Sequence, residues 1–268
     1  MASRWLYDVF AVLYAASLVL FFIDAVQPRR ALNRTALVLL FFVFSLETAF
    51  FLTRLSALGY VPVYSPFDSM LLFSWLILLV ALVVNTFFKL DLVLFLSNLV
   101  GFGVVLFDAF AYRLSAQYTN AQGDLLVLHI SMALLSYVSF TFAFAFSLLY
   151  LIQDRLLRRK QWRGWFFRLP SLERLELYAY RAVLIGYPLL LLAMVLGVVW
   201  SELTLGFLLW KDPKPVATVT VWLMYGVYLL LRLRSNWAGR KLIWYGVVCY
   251  AGVLVNYAVV GIFSPYHQ

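Results

Sequence analysis

Residues 66–88 have the sequence PFDSMLLFSWLILLVALVVNTFF, and after Asp68 this stretch contains no charged side chain. A helix of roughly 20 apolar residues is long enough to cross the hydrocarbon core of a bilayer, which is about 30 Å thick. Because lipid offers no hydrogen-bond partners to peptide groups, an apolar run that crosses it must be helical. The stretch therefore predicts a transmembrane helix.

The composition of the whole chain agrees with this prediction. Of the 268 residues, 65% are hydrophobic and 12% are charged, whereas soluble domains carry about 25% charged residues. The aromatic content of 19% suits lipid contact and the belts at membrane interfaces. This composition excludes a soluble enzyme, a disordered protein and a nucleic-acid-binding protein. The single cysteine, Cys249, excludes disulfide frameworks and thiolate zinc sites.

Seven further runs are also long and apolar enough to cross a bilayer, so we expect an all-α polytopic membrane protein with eight transmembrane helices. The predicted spans are about 5–26, 34–56, 66–88, 91–112, 125–153, 180–201, 216–233 and 241–263. The first run contains Asp8 and is not followed by a small-residue cleavage site, so it is not interpreted as a signal peptide. Without a visible repeat or linker, residues 1–268 are expected to form a single transmembrane domain.

The Lys and Arg residues predict the orientation, because the membrane side that retains positive charge is normally cytoplasmic. Sixteen of the 21 lie in the first, third, fifth and seventh loops, eight of them between Arg155 and Arg181. Both termini are therefore expected outside. The basic fifth loop is expected to contact anionic lipid headgroups, with an acidic soluble partner as the alternative. Within it, Ser171 and Glu173 are typical of a helix start.

The chain has two histidines, His129 and His267. His129 lies near the start of the fifth span and His267 follows the eighth, so the charge count places both at the outer face. Two imidazoles at one face could clamp a metal from two sides. A lone interfacial histidine is more often an ordinary hydrogen-bonding residue, and the spacing alone leaves both interpretations open.

The predicted outer loop between spans six and seven contains Trp210-Lys211-Asp212-Pro213-Lys214-Pro215, and Trp222 follows it. The prolines stiffen this loop, while Trp210 and Trp222 offer flat apolar faces close to the level of both histidines. A planar hydrophobic ligand could lie there. The alternative is an ordinary interfacial aromatic belt, in which Asp212 is a solvated charge.

This loop and the Tyr-Leu-x-x-Arg end of span seven resemble the tryptophan-rich haem-handling segment of the cytochrome c assembly family, which includes CcsA and HemX-type proteins. Other stretches are similar to the family in the same order along the chain. They are residues 66–75, residues 128–151 with His129, and His267 near the end of the last helix. The resemblance covers about residues 60–268.

The resemblance implies that His129 and His267 are axial ligands of haem b at the outer face, with Trp210, Asp212 and Trp222 in a supporting role. Two imidazoles on one iron suit carrying haem rather than oxygen chemistry.

The resemblance is closer to HemX-type members. The chain has Pro215 and Leu230 where haem-delivering CcsA members have an acidic residue and a further histidine. The resemblance implies haem handling or regulation of haem biosynthesis in the bacterial plasma membrane. Glutamyl-tRNA reductase or another haem-pathway protein would be the cytoplasmic partner, and haem delivery for cytochrome c maturation is the alternative.

Two acidic residues at membrane depth favour a different class, a proton-coupled small-solute transporter. Glu47 and Asp108 are costly in hydrocarbon and must face the protein interior, a partner or water. Arg54, two helical turns from Glu47, is expected to reach toward it. Transporters often have paired broken helices, whereas only span six has an interior proline, Pro188. No nucleophile–base pair is visible, so an enzyme is not expected.

Overall fold

The computed structural model describes residues 2–111, 123–160, 169–205, 213–234 and 237–257. The regular structure within these ranges is helical, and no strand occurs in them. Their eight helices are α1 (Ala2–Val26), α2 (Arg30–Leu58), α3 (Pro66–Phe88), α4 (Asp91–Ala111), α5 (Asp124–Arg158), α6 (Leu172–Leu205), α7 (Pro213–Arg234) and α8 (Arg240–Val255). Each helix overlaps one of the predicted apolar runs.

Six of the helices in the described ranges are long and apolar enough to cross a membrane: α1, α2, α3, α5, α6 and α7. The described apolar part of α4, Asp91–Phe107, is shorter than these spans, and α8 has 16 residues. The chain is therefore a multi-pass membrane protein, as its composition predicted.

Helices α1 to α4 belong to one compact unit and α5 to α8 to a second, here called the first and second units. In the first unit, helices that follow one another in the chain are in contact, and α1 also contacts α4, so the four helices form a ring. The side-chain contacts show antiparallel neighbours: Tyr7 donates to the Val105 carbonyl at 2.7 Å, and Tyr14 donates to Asn98 Oδ1 at 2.7 Å. The single transmembrane domain expected from the sequence stays a prediction.

The start of α3 has a polar cap. Pro66 is its first residue, and the Ser65 hydroxyl accepts a hydrogen bond from the Asp68 amide at 3.1 Å and donates to Asp68 Oδ2 at 2.6 Å. Arg54 Nε lies 2.6 Å from the other Asp68 oxygen. Such a cap satisfies amides that a helix start leaves without partners.

The expected contact of Arg54 with Glu47 is therefore wrong, since the structure gives Arg54 the partner Asp68. The reason is the antiparallel packing of α2 and α3. This packing brings Arg54, near the end of α2, level with Asp68 at the start of α3. Glu47 precedes Arg54 by two turns, which is about 10 Å along α2. The side chain of Asp108 lies outside the described residues.

The second unit is also a ring, in which α5 contacts α6 and α8, and α7 contacts α6 and α8. Its neighbours are antiparallel. The Ser136 hydroxyl on α5 donates to the Gly186 carbonyl on α6 at 2.9 Å, and the hydroxyls of Thr141 and Tyr250 join α5 to α8 at 3.0 Å. Helix α6 begins as predicted, because the Ser171 hydroxyl accepts from the Arg174 amide at 3.4 Å.

One end of the second unit carries a network of charged side chains. Arg232 donates to Glu176, whose other oxygen accepts from the Gly239 amide at 2.9 Å. On α5, Arg158 Nε lies 3.0 Å from Asp154. Since the helices alternate in direction, the start of α5 and the end of α6 lie at the opposite end of this unit.

Candidate functional site

The site is built around His129, a partly buried residue in the second turn of α5. Its Nδ1 lies 2.6 Å from the carbonyl oxygen of Ala193 on α6. A carbonyl oxygen can only accept a hydrogen bond, so Nδ1 carries the proton of the neutral imidazole. The lone pair of that imidazole is then on Nε2, which is the nitrogen able to bind a metal.

Gly197 gives the imidazole the space to reach this carbonyl. A Cβ at Gly197 would lie 2.7 Å from His129 Cε1 and 2.8 Å from Nδ1, closer than real Cβ contacts allow. Gly197 is one turn after Ala193, and a helical carbonyl points toward the residue four positions later. The ring therefore packs against the backbone of α6 at Gly197, where the Ala193 carbonyl is within hydrogen-bonding distance.

The sequence did not identify Ala193 or Gly197. A glycine within a predicted transmembrane helix indicates close approach by a neighbouring helix. It does not say which residue approaches, because that depends on the register between α5 and α6. His129 lies at the end of the second unit opposite the Glu176–Arg232 network, which is consistent with its predicted place away from the basic loops.

Trp222 lies on α7 with its ring stacked on Tyr187 of α6, at a centroid distance of 4.9 Å and an interplanar angle of 12°. Tyr187 precedes Ala193 by six residues, which is about 9 Å along a helix. Trp222 is therefore deeper in the second unit than the contact between His129 and Ala193, whereas the sequence analysis placed it close to the level of His129. The reason is that residue 222 is more than two turns into α7. The indole Nε1 is buried and has no hydrogen-bond partner in the described residues.

Three of the predicted site residues, His267, Trp210 and Asp212, lie outside the described residues. Within the described ranges, no hydrogen bond or ring contact joins Trp222 to His129. Their roles stay predictions.

A polar cluster that the sequence analysis missed joins α5, α7 and the end of α8. The amide nitrogen of Asn256 donates to the Tyr137 hydroxyl and to Thr218 Oγ1, both at 3.1 Å. Tyr137 follows His129 by eight residues, about 12 Å along α5. Asn256 is 1% exposed, and its Oδ1 has no partner in the described residues. The cluster fixes the helix that leads toward His267 against the helix that carries His129.

The chemistry available at His129 is that of a metal ligand. A histidine whose second ring nitrogen donates to a carbonyl is the usual form of a protein ligand to iron or zinc, because the hydrogen bond fixes both the tautomer and the ring orientation.

Comparison with known proteins shows the family of the chain. Residues 63–266 match the model of a family described as cytochrome C assembly protein. The chain belongs to this family. Protein HemX of Brevibacillus brevis is 35% identical over 256 residues, which cover 95% of this chain and 94% of that protein. Protein HemX of Bacillus subtilis (strain 168) is 33% identical over 259 residues, which cover 96% of this chain and 94% of that protein.

Cytochrome c biogenesis protein CcsA of Synechococcus sp. (strain CC9605) is 27% identical over 279 residues, which cover 91% of this chain and 90% of that protein. The higher identity to both HemX proteins confirms the resemblance to HemX-type members. Among solved structures, Cytochrome c Heme Lyase CcmF matches 97% of this chain with a TM-score of 0.67 at 17% identity. The chain spans 47% of CcmF, and this likeness is one of fold.

Proposed function

We propose that this protein of the cytochrome C assembly family binds haem b in the membrane, with His129 and His267 as the axial ligands of the iron. The arrangement of His129 carries the proposal. Its Nδ1 is engaged by the Ala193 carbonyl at 2.6 Å, so Nε2 is the nitrogen left to bind iron. The names of the relatives and of CcmF, which refer to cytochrome c assembly and to haem, support haem as the bound group.

The chain's own residues hold and orient the group. Ala193 and Gly197 fix the plane and tautomer of the His129 imidazole. Trp222, which lies deeper in the second unit, is proposed as the far apolar wall of the site, with an indole N–H that has no partner in the described residues. Trp210 and Asp212 are proposed as further walls. When bound between two imidazoles, haem supplies an iron with no open coordination position, which suits carrying haem. A handling role is proposed rather than an enzymatic one.

The proposed setting is the bacterial plasma membrane, with eight spans and both termini outside. Support comes from the excess of Lys and Arg in alternate loops. It also comes from the second unit, where the Glu176–Arg232 network lies at the end opposite His129. In this orientation the haem site is at the outer face.

Regulation of haem biosynthesis is the proposed biological role, with glutamyl-tRNA reductase or another haem-pathway protein as the cytoplasmic partner. HemX relatives that align with nearly the whole chain support this choice. Leu230 also supports it. This side chain on α7 is apolar and 55% exposed, so this position offers no iron ligand near the inner end of the helix.

Haem delivery for cytochrome c maturation is the second candidate, because the CcsA relative aligns over most of the chain. Deletion of the gene in the source organism separates the two. The proposed role predicts changed levels of glutamyl-tRNA reductase or of early porphyrin precursors, with c-type cytochromes still covalently haemylated. An immunoblot for the reductase and a haem stain of membrane proteins measure both. Loss of all c-type cytochromes with unchanged reductase would favour haem delivery instead.

A further inference from the structure

A buried carboxylate without a partner lies at the centre of the first unit. Glu47 is in the middle of α2 and is 0% exposed. Among the described residues, neither of its carboxylate oxygens has a hydrogen-bond partner, and no Lys, Arg or His forms an ion pair with it. Glu47 belongs to the first unit, whereas His129 of the proposed haem site belongs to the second.

Each of the other three helices of the first unit contributes a fully buried polar side chain. The Tyr14 hydroxyl of α1 donates to Asn98 Oδ1 of α4 at 2.7 Å, and Asn98 Nδ2 donates to the Leu94 carbonyl at 2.8 Å. The Ser74 hydroxyl of α3 lies beside both Glu47 and Tyr14, but none of its contacts in the described residues has the geometry of a hydrogen bond.

The packing of the ring brings these side chains to one level. Thr48, the residue after Glu47, accepts a hydrogen bond at 2.8 Å from the indole of Trp75, the residue after Ser74. Tyr14 and Asn98 are joined directly across α1 and α4. The two Glu47 oxygens and the Ser74 hydroxyl therefore form a group of three oxygen atoms whose hydrogen-bonding capacity is unused in the described residues.

Gly101 on α4 allows the Tyr14 hydroxyl to approach the backbone of α4. A Cβ at Gly101 would lie 2.8 Å from the Tyr14 hydroxyl oxygen, too close for a real contact. Since Tyr14 gives its proton to Asn98, the lone pairs of its oxygen stay available to a positive ligand.

An ionised carboxylate in the interior of a membrane bundle is costly unless a positive charge compensates it. The described residues supply no such charge to Glu47. One carboxylate balances one positive charge, and no group of three His, Cys, Asp or Glu side chains suited to a metal ion occurs in the described residues. A divalent ion, which favours several carboxylates, is therefore a poor fit.

We propose that Glu47, with Ser74 and Tyr14, forms an exchangeable site for one monovalent cation inside the first unit. The bound cation is either a proton or an alkali-metal ion. Either one supplies the single positive charge that compensates the Glu47 carboxylate. Among the described residues, Tyr14 is the other titratable side chain that faces Glu47, while Ser74 and Asn98 do not titrate.

Infrared difference spectroscopy of the full-length protein in lipid nanodiscs tests the proposal, because it reports the carboxyl group itself. One arm changes pH in choline chloride, and the second replaces choline with sodium or potassium at a fixed alkaline pH. We expect a change in carboxyl absorption in one arm, and its loss in Glu47→Gln. A response to pH alone identifies the proton, and a response to sodium or potassium identifies the alkali ion.

Two further variants keep the test specific. Glu202→Gln, at an exposed position on α6, is expected to retain the wild-type response. Ser74→Ala keeps the carboxyl group and removes one oxygen ligand, so the midpoint of the response is expected to shift about 3-fold or more. Identical spectra for wild type and Glu47→Gln in both arms would overturn the site, and an unchanged midpoint in Ser74→Ala would overturn its assigned ligands.

Discussion

Gly197 is the residue on which the geometry of His129 depends most directly. In Gly197→Ala the new methyl group would occupy the place of the imidazole, at 2.7 Å from Cε1. We expect the hydrogen bond from Nδ1 to Ala193 to break, because the ring must move. Loss of such support for a metal-bound histidine typically reduces affinity 10- to 100-fold, and crowding costs about 1–3 kcal/mol of stability. Titration of the purified protein with haem measures the first effect.

Gly103→Ala is the matched control, because a Cβ at that position has no neighbour within 4 Å. It removes a helical glycine without touching His129, so haem affinity should stay at the wild-type value. If Gly197→Ala bound haem as tightly as Gly103→Ala, the role of Ala193 and Gly197 in orienting His129 would be wrong.

The sequence identified His129 because histidine is rare in this chain and because its surroundings resemble a family motif. It did not identify Ala193, Gly197 or Asn256. Their importance arises from the pairing of α5 with α6 and of α8 with α5 and α7. Apolar runs do not specify this register, since many residues on each helix face are equally hydrophobic.

At the scale of one element, the Ser65 cap of α3 is expected to contribute measurably to stability. Ser65→Ala removes the acceptor for the Asp68 amide and the donor to Asp68 Oδ2. Loss of an N-cap side chain costs about 1 kcal/mol, so the midpoint of thermal unfolding in detergent should fall. Ser56→Ala is the control, since that exposed hydroxyl donates only to the Leu52 carbonyl of its own helix. Equal midpoints for both variants would argue against the cap.

The helices themselves could be predicted because lipid forces every long apolar run to be helical. Their ends could be predicted less well. Helix α6 starts at Leu172, where Ser171 predicted its cap, but it ends at Leu205, beyond the predicted limit of the span at residue 201, because a helix can continue past the hydrocarbon. The pairing of Arg54 with Asp68 was missed for a related reason, because it depends on which end of a neighbouring helix lies level with Arg54.

At the scale of the whole molecule, orientation is tested by cysteine labelling on intact cells. The background is Cys249→Ala, which removes a buried thiol. We expect a membrane-impermeant reagent to label Lys214→Cys, because the charge distribution places the start of α7 outside. Asn236→Cys should react only after the cells are opened. Labelling of Asn236→Cys but not Lys214→Cys on intact cells would reverse the topology and move His129 to the cytoplasmic face.

The central claim is that His129 and His267 bind haem iron, and the visible absorption spectrum of the purified, haem-loaded protein tests it most directly. Wild type and Gly103→Ala should show the spectrum of low-spin, six-coordinate haem, because two neutral imidazoles fill both axial positions. His129→Ala and His267→Ala should each lose one ligand and change the Soret and α bands, and the double variant should retain little haem. Wild-type bands in both single variants and in the double variant would contradict the assignment.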